Sequence, residues 1–372
     1  MSRQFIDDIA PEAFSEAFVA IAVPAFNEAK TIGACIQALD VAAGGVVGTS
    51  VHLVVLVNNS KDATAKIARA YRPTVLRITV VEVTLSGEHA HAGGARRAAF
   101  EHALPLFPPD CVLMTTDADS CVDPRWISAN LAELSKGVDA VAGVVTFDRD
   151  TLDALPTMPM RALEWELARL QARLSTLIDP RPHDPWPNHI WAWGASLALT
   201  ASAYRQIGGL PSIPLAEDRA LAEAIEMADL RLRHSHAPVV YTSARQTGRA
   251  PGGFADLLNR YQVDDLAPCD AALEPTTALI RRLAWRSRLR RTADLNGLRC
   301  AAELARRIGY DGEAACSFGK LWKAVETQSL LLQRMRVDPA MLVIEVAFAH
   351  RIINRIERRV KDQVDNRESA NV

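Results

Sequence analysis

Continuous apolar runs at residues 18–23, 53–57, 78–85, 112–116 and 138–146 are separated by amphipathic stretches at 30–39, 63–71, 94–103 and 124–136. This βαβα rhythm limits the fold more than any other feature of the chain. The runs do not alternate apolar with polar residues, so both faces of each strand are covered. That is the pattern of parallel strands sandwiched between helices. In such sheets a ligand sits beyond the carboxyl ends of the strands, where chain segments diverge. The chemistry is therefore expected at the strand ends.

The rest of the composition sets outer bounds. A chain of 372 residues that is 49% hydrophobic and 23% charged can bury one large core or two smaller ones. No apolar run approaches the roughly 20 residues that span a bilayer. The opening "MSRQFIDDIAPEAF" has acids where a signal peptide carries basic residues, so the chain reads as cytosolic. Six scattered cysteines without a C-x-x-C pair indicate neither a disulfide framework nor a zinc site. Charge is uneven: residues 1–270 hold 23 basic against 32 acidic residues, a net −9, whereas 271–372 hold 19 against 12, a net +7. The polar, Pro-bearing "DDLAPCDAALEPTTA" marks the change, as expected of a junction between a body and a helical tail.

The strand ends read "VPAFNEAKTI", "VNNSKDATAKIA", "SGEHAHAGGARRAAF" and "TTDADSCVDP", all of them polar. Taken singly, each is a turn in which Asn27 or Asp62 caps the following helix. Taken in order, they resemble family 2 glycosyltransferases. "PAFNE" (Pro24 to Glu28) matches the family's opening P-x-aromatic-N-E loop, and "VNNSKDAT" is similar to its V-D-D-G-S-T-D-x-T loop. "DAD" (Asp117 to Asp119) matches its D-x-D, "AED" (Ala216 to Asp218) its E-D pair, and "GASLALTASAYRQIGGLP" the segment between them. The likeness covers roughly residues 18 to 250. It implies a GT-A fold, α/β and Rossmann-like, with a mostly parallel sheet flanked by helices. It also implies a glycosyltransferase domain over 1–265, with a nucleotide-binding half at about 18–120 and an acceptor half at about 121–265. Residues 266–372 then form a basic helical extension.

The same resemblance implies metal-dependent, inverting transfer of a sugar from a nucleotide-diphosphate sugar to an acceptor hydroxyl. A hard divalent cation, Mg²⁺ or Mn²⁺, held by one or two carboxylates and the phosphate oxygens would neutralise the diphosphate. Asp119 is expected as its direct ligand, and Asp117 as a contact to the ribose or to the metal through water. Pro24, Phe26 and Glu28 would frame the base and ribose, and either Arg96 or Arg97 would reach the diphosphate. Asn58 and Asn59 stand where the family has two acids. A carboxylate can only accept a hydrogen bond, whereas an amide also donates, so the base preference is open. Arg245 and Arg249, before a Gly-Gly turn, suit a basic loop that closes over the nucleotide. Of the pair Glu217 and Asp218, Asp218 is expected as the base that takes the acceptor's proton. The plainer reading is an acid favoured at a helix N-terminus.

Acceptor recognition is expected from "IDPRPHDPWPNHIWAWGASL", a proline-stiffened loop carrying Trp186, His189, Trp191, Trp193 and Gly194. The alternative is that these tryptophans seal the body against the tail. His234 or His236 as a third metal ligand is weighed against a structural role. In the tail, "IRRLAWRSRLRRTADL" interleaves apolar residues with six arginines. It suits an anionic membrane surface, an anionic acceptor or packing against the acidic body. "AMLVIEVAFAHRIINRIERRV" suits a bundle or a homodimer interface. No nucleic-acid partner is expected, and the acceptor is unknown. Two other classes are weighed. A sugar nucleotidylyltransferase would carry a Gly-rich loop after the first strand, where "VPAFNEA" has no glycine. A non-catalytic nucleotide-sugar-binding protein would have no need of Glu217 and Asp218.

Overall fold

The structure, a computed structural model, describes residues 17–154, 159–245, 254–264 and 266–370. The chain divides into two compact units. The first comprises Met1–Leu152, Ala192–Leu221 and Ala237–Ala244, and the second Asp153–Trp191, Ala222–His236 and Arg245–Val372. The expected boundary at residue 265 falls inside the second unit.

The strands are β1 (Ala17–Ala25), β2 (Thr49–Asn58), β3 (Arg77–Val83), β4 (Val112–Thr115), β5 (Ser120–Val122), β6 (Ala140–Thr146), β7 (Leu197–Thr200) and β8 (Leu232–Thr242). They form one sheet in the order β3-β2-β1-β4-β7-β6-β8-β5. The first three pairings, β3 with β2, β2 with β1 and β1 with β4, are parallel. Pairing then turns antiparallel, for β4 with β7, β6 with β7 and β5 with β8. The sheet is therefore mixed, with three parallel pairings joining β3, β2, β1 and β4. The expected α/β core flanked by helices, followed by a helical C-terminal region, is present.

The apolar runs explain the parallel pairings. Val19, Ala20, Ile21, Ala22 and Val23 of β1 have no exposed surface, and neither do Leu53, Val54, Val55 and Leu56 of β2. Both faces of these strands are packed, as continuous apolar runs require. The first helices are α1 (Ile32–Gly44), α2 (Thr64–Ala70), α3 (Ala92–Ala103) and α4 (Trp126–Leu134). Ile32, Cys35, Ile36, Leu39, Ala42 and Ala43 bury one stripe of α1 against the sheet, and Trp126 and Ile127 of α4 join the same core. Each fully buried Ile or Leu contributes roughly 1.5–3 kcal/mol relative to an exposed one.

The remaining helices are α5 (Arg149–Ala154), α6 (Pro159–Ile178), α7 (Ala201–Gln206), α8 (Glu217–Met227), α9 (Phe254–Val263), α10 (Thr276–Ala305), α11 (Phe318–Gln328) and α12 (Leu342–Ala370). In the second unit, Leu167, Leu170 and Leu174 of α6 pack with Leu279 and Leu283 of α10 and with Leu342 and Ile353 of α12. This shared core is why α6 joins the C-terminal helices. The α10 arginines meet carboxylates of the same unit. Arg282 pairs with buried Glu274 and, at 3.3 Å, with Glu326; Arg286 reaches Asp179 at 2.6 Å, and Arg290 pairs with the same Asp179. Three of the six arginines in the basic stretch are thus committed to packing. Among the described residues no helix is long and apolar enough to cross a membrane.

Candidate active site

Two loops at the carboxyl ends of β1 and β2 are stitched together by side chains that act as backbone partners. Asn27 takes a left-handed backbone, φ 53°, and its Oδ1 accepts from the Lys61 amide at 2.8 Å. Its own amide donates to Ser60 Oγ at 2.9 Å. The Glu28 amide donates to Thr64 Oγ1 at 2.8 Å, and the Ala29 amide to Asp62 Oδ2 at 3.1 Å. Asp62 Oδ1 also accepts from the Thr64 amide at 3.0 Å. Asn is among the few residues that enter the left-handed region readily, which suits it to this turn. Phe26 is exposed beside the loop, Pro24 lies within β1, and Glu28 is buried, its carboxylate accepting from Thr31 Oγ1 at 2.8 Å.

Asn58 and Asn59 part company. Asn59, also left-handed at φ 51°, uses its whole amide on the residues after β3: Nδ2 donates to Leu85 O at 2.9 Å, and Oδ1 accepts from the Leu85 amide at 3.0 Å. Asn58 is buried at the end of β2.

Arg96 and Arg97 also separate. Arg97 turns to Glu101 at 2.7 Å and to Leu210 O at 3.0 Å. Arg96 is buried and donates from Nε to Glu217 at 3.2 Å, from Nη1 to Thr115 Oγ1 at 2.9 Å and to Gly194 O at 2.8 Å, and from Nη2 to Asp117 Oδ1 at 2.7 Å. Burial works against its charge, but Asp117 and Glu217 outweigh burial and raise its pKa above the ordinary guanidinium value.

Asp117 and Asp119 flank buried Ala118 in the turn from β4 to β5. The Cys35 thiol on α1 donates to the Asp117 carbonyl at 3.5 Å. Its pKa is pushed well up, first by burial and then by the charges of Cys121, Asp119, Asp117 and Glu28. Asp119, Asp117 and Glu28 thus all lie close enough to Cys35 for their charges to act on it. Among the described residues no group of three or more His, Cys, Asp or Glu side chains is disposed to hold a metal ion. A divalent cation that arrives with a nucleotide does not need such a cage. It takes one or two carboxylates, phosphate oxygens and water, and Asp117 with Asp119 fits that set.

Glu217 and Asp218 open α8, after a left-handed Ala216 with φ 61° that turns the chain into the helix. Glu217 is held by Arg96. Half-buried Asp218 accepts from the Gly194 amide at 3.0 Å and from its neighbour's amide, Arg219, at 2.7 Å. Its pKa is raised, by burial first and by the Glu217 charge second; the two backbone donors pull in the other direction without cancelling these.

The expected acceptor residues fall in both units. Trp193 and Gly194 belong to the first, where Gly194 supplies an amide to Asp218 and a carbonyl to Arg96. Trp186, His189 and Trp191 belong to the second. There the Arg173 guanidinium lies 5.3 Å from the Trp186 ring, and Trp191 packs on Trp165 with ring centres 4.5 Å apart. His189 is buried, with Nε2 3.2 Å from Ser235 O, and burial and the neighbouring His234 and His236 push its pKa down to about 3. It is neutral at physiological pH. His234 Nδ1 lies 3.0 Å from Asp184. Half-buried Arg245 follows β8, and Arg249 lies outside the described residues.

Sequence reasoning missed Thr115, Ser60 and Thr64, because their partners lie on distant segments, α3 for Thr115 and the loop after β1 for the other two. The clue available was the run of Asn, Ser, Asp and Thr after the second strand. It also missed what Gly93 and Gly194 do. A Cβ on Gly93 would meet Ile213 O at 2.5 Å and Glu217 Cβ at 2.9 Å, and one on Gly194 would meet Arg96 Nη2 at 2.7 Å.

Residues 20–184 match the model of the family described as Glycosyl transferase family 2. A glycosyltransferase of Haloferax volcanii, AglE, is 27% identical over 131 residues, which are 35% of this chain and 40% of that protein. The chain thus spans about two fifths of the length of this curated relative. Among solved structures, glucosyl-3-phosphoglycerate synthase from Mycobacterium tuberculosis, in complex with Mn²⁺, UDP and phosphoglyceric acid, is 17% identical. That match covers 67% of this chain and 78% of the other, with a TM-score of 0.41. S. aureus TarS residues 1–349 in complex with UDP-GlcNAc is 14% identical over 92% of each chain, with a TM-score of 0.44. The family match over residues 20–184 and the ordered strand-end motifs fall on the same stretch, which is similar to glycosyl transferase family 2.

Proposed function

We propose that this chain is a metal-dependent, inverting glycosyltransferase that moves a sugar from a nucleotide-diphosphate sugar to an acceptor hydroxyl. The observation that carries the reading is the joining, inside one compact unit, of the D-A-D turn and the E-D pair. Buried Arg96 bonds to Asp117 on one side and to Glu217 on the other, and Asp218 lies next along the chain. The family match over residues 20–184 and the name of the similar protein AglE support sugar transfer.

Asp119 and Asp117 would hold Mg²⁺ or Mn²⁺, which supplies charge neutralisation for the diphosphate and Lewis acidity toward the departing phosphate. The loops of Asn27 and Asn58 frame the nucleotide. Buried Asn58 offers an amide that both donates and accepts, so the base is set by pairing with it rather than by a carboxylate. Asp218 takes the acceptor's proton while the anomeric carbon is attacked in line. Its raised pKa makes it a stronger base than an ordinary aspartate, and the Gly194 and Arg219 amides fix its orientation. A single displacement of this kind inverts the anomeric centre.

The test is thermal stabilisation by nucleoside diphosphates and their sugars, one base at a time, with and without Mn²⁺. A ligand bound by the folded state alone raises stability with the logarithm of its concentration. Stabilisation that needs both metal and diphosphate is the expected result. No response to any nucleotide, with metal or without, would sink the proposal.

A further inference from the structure

Arg96 invites assignment as a diphosphate ligand, but its surroundings favour another role. Its side chain is 5% exposed. A guanidinium has five N–H groups. Four of them are engaged on four separate segments: Thr115 ends β4, Asp117 begins the D-A-D turn, Gly194 precedes β7, and Glu217 opens α8. To grip a phosphate in the bidentate manner, Arg96 would have to release at least one of these four partners. Release of Glu217, whose side chain is 11% exposed, would leave a carboxylate unpaired in a buried place, which is costly, and release of any of the other three would free a segment that Arg96 ties down.

The glycines make the same point independently. Gly194 leaves no room for a Cβ beside the guanidinium, and Gly93 lets α3 approach Ile213 and Glu217 more closely than any side chain would permit. Gly94 is equally constrained, since its Cβ would lie 2.2 Å from His89 O. Of these, Gly194 makes room for the guanidinium itself and Gly93 for its partner Glu217.

We infer that Arg96 is a positioning residue: it locks the D-A-D turn and the E-D pair at a fixed separation and does not bind the diphosphate. The inference rests on the reading above, in which Asp117 and Asp119 serve the donor and Asp218 the acceptor. Arg96 neutralises Glu217 beside Asp218 and restrains Asp117 beside Asp119. Donor and base are therefore held in register by one side chain. A misplacement of about 1 Å between reacting groups costs on the order of 10²-fold in rate.

Three variants separate the alternatives. Gly194→Ala keeps every charge and pushes on the guanidinium; Arg96→Lys keeps the charge and loses the fork; Arg96→Ala leaves a guanidinium-sized space. Calorimetry with Mn²⁺ compares a nucleoside diphosphate with the monophosphate of the same base, and turnover is followed as hydrolysis of the donor sugar nucleotide. The expected result is a loss of turnover of about 10²-fold in Gly194→Ala and Arg96→Lys. Preference for diphosphate over monophosphate should stay within about threefold of the parent, and free guanidinium ion should partly restore turnover to Arg96→Ala. A selective loss of diphosphate affinity in Arg96→Ala, with monophosphate affinity kept, would overturn the inference while leaving the proposed function standing. Parent protein that binds no nucleoside diphosphate with Mn²⁺ would overturn both.

Discussion

In the proposed reaction Asp119 and Asp218 carry opposite demands at the residue scale, since one would have to stay ionised to hold a cation and the other to exchange a proton. Asp119→Asn keeps size and shape and removes the charge. It should abolish Mn²⁺-dependent nucleotide binding in calorimetry while the circular dichroism spectrum is unchanged, and unchanged binding would remove Asp119 from the metal site. For Asp218 the raised pKa gives a signed expectation. Burial disfavours the ionised form, so the folded protein holds this proton more tightly than the unfolded chain, whose value is near 3.8. The ionised side chain then costs stability, and that cost grows as pH rises from 3.8 through the folded value. Asp218→Asn removes it. The melting temperature of the Asn variant relative to the parent should therefore climb between acid and neutral pH, while transfer to the acceptor falls by about 10²–10⁴-fold. A difference in melting temperature that does not change with pH would contradict the burial of a charged Asp218. If Asp218 were only a helix cap, Asn would serve nearly as well and transfer would survive.

Among the elements, strands and helices were legible in the sequence because each is written locally. The apolar run of β1 and the i, i+4 stripe of Ile32, Ile36 and Leu39–Ala43 on α1 each declare their element without reference to the rest of the chain. The stitching of the loops was not legible. Asn27 with Lys61, Ala29 with Asp62 and Glu28 with Thr64 join residues more than 30 positions apart, and a residue type alone does not say which distant amide it will meet. The same limit hid the division of labour between Arg96 and Arg97, which differ by one position, and so by about 100° around α3. It also hid the mixed sheet, because short strands such as β4 and β7 look alike whichever way they pair. The stitching predicts an effect of its own. Asp62→Ala leaves the Ala29 and Thr64 amides without their acceptor and should cost about 1–2 kcal/mol in denaturant unfolding. It should also weaken nucleotide binding, although Asp62 itself need touch no ligand. Loss of stability with nucleotide affinity unchanged would uncouple the loops from the donor.

On the scale of the whole molecule, the acidic body and basic tail suggested by composition resolve into pairings inside the second unit. Arg282 has Glu274 and Glu326, and Arg286 and Arg290 share Asp179, whose side chain is 1% exposed. Charge that looked available for an anionic membrane is, at these three positions, already engaged. One buried aspartate between two guanidinium groups is a vulnerable arrangement, because removing a partner from a buried pair leaves an uncompensated charge behind. Asp179→Asn keeps the volume but would set Arg286 and Arg290 against each other with only a neutral amide between them. Both arginines retain some exposure, 12% and 24% of their side chains, so solvent screens part of the repulsion. A loss of about 3 kcal/mol, at the low end for broken buried pairs, is expected in denaturant unfolding. High salt should recover a fraction of it. Arg290→Gln in the same background should also recover stability, since it removes the repulsion that the first substitution created. If the double variant were no more stable than Asp179→Asn alone, Asp179 would not be the group that reconciles these arginines, and the tail's charge would again be free to serve an anionic partner.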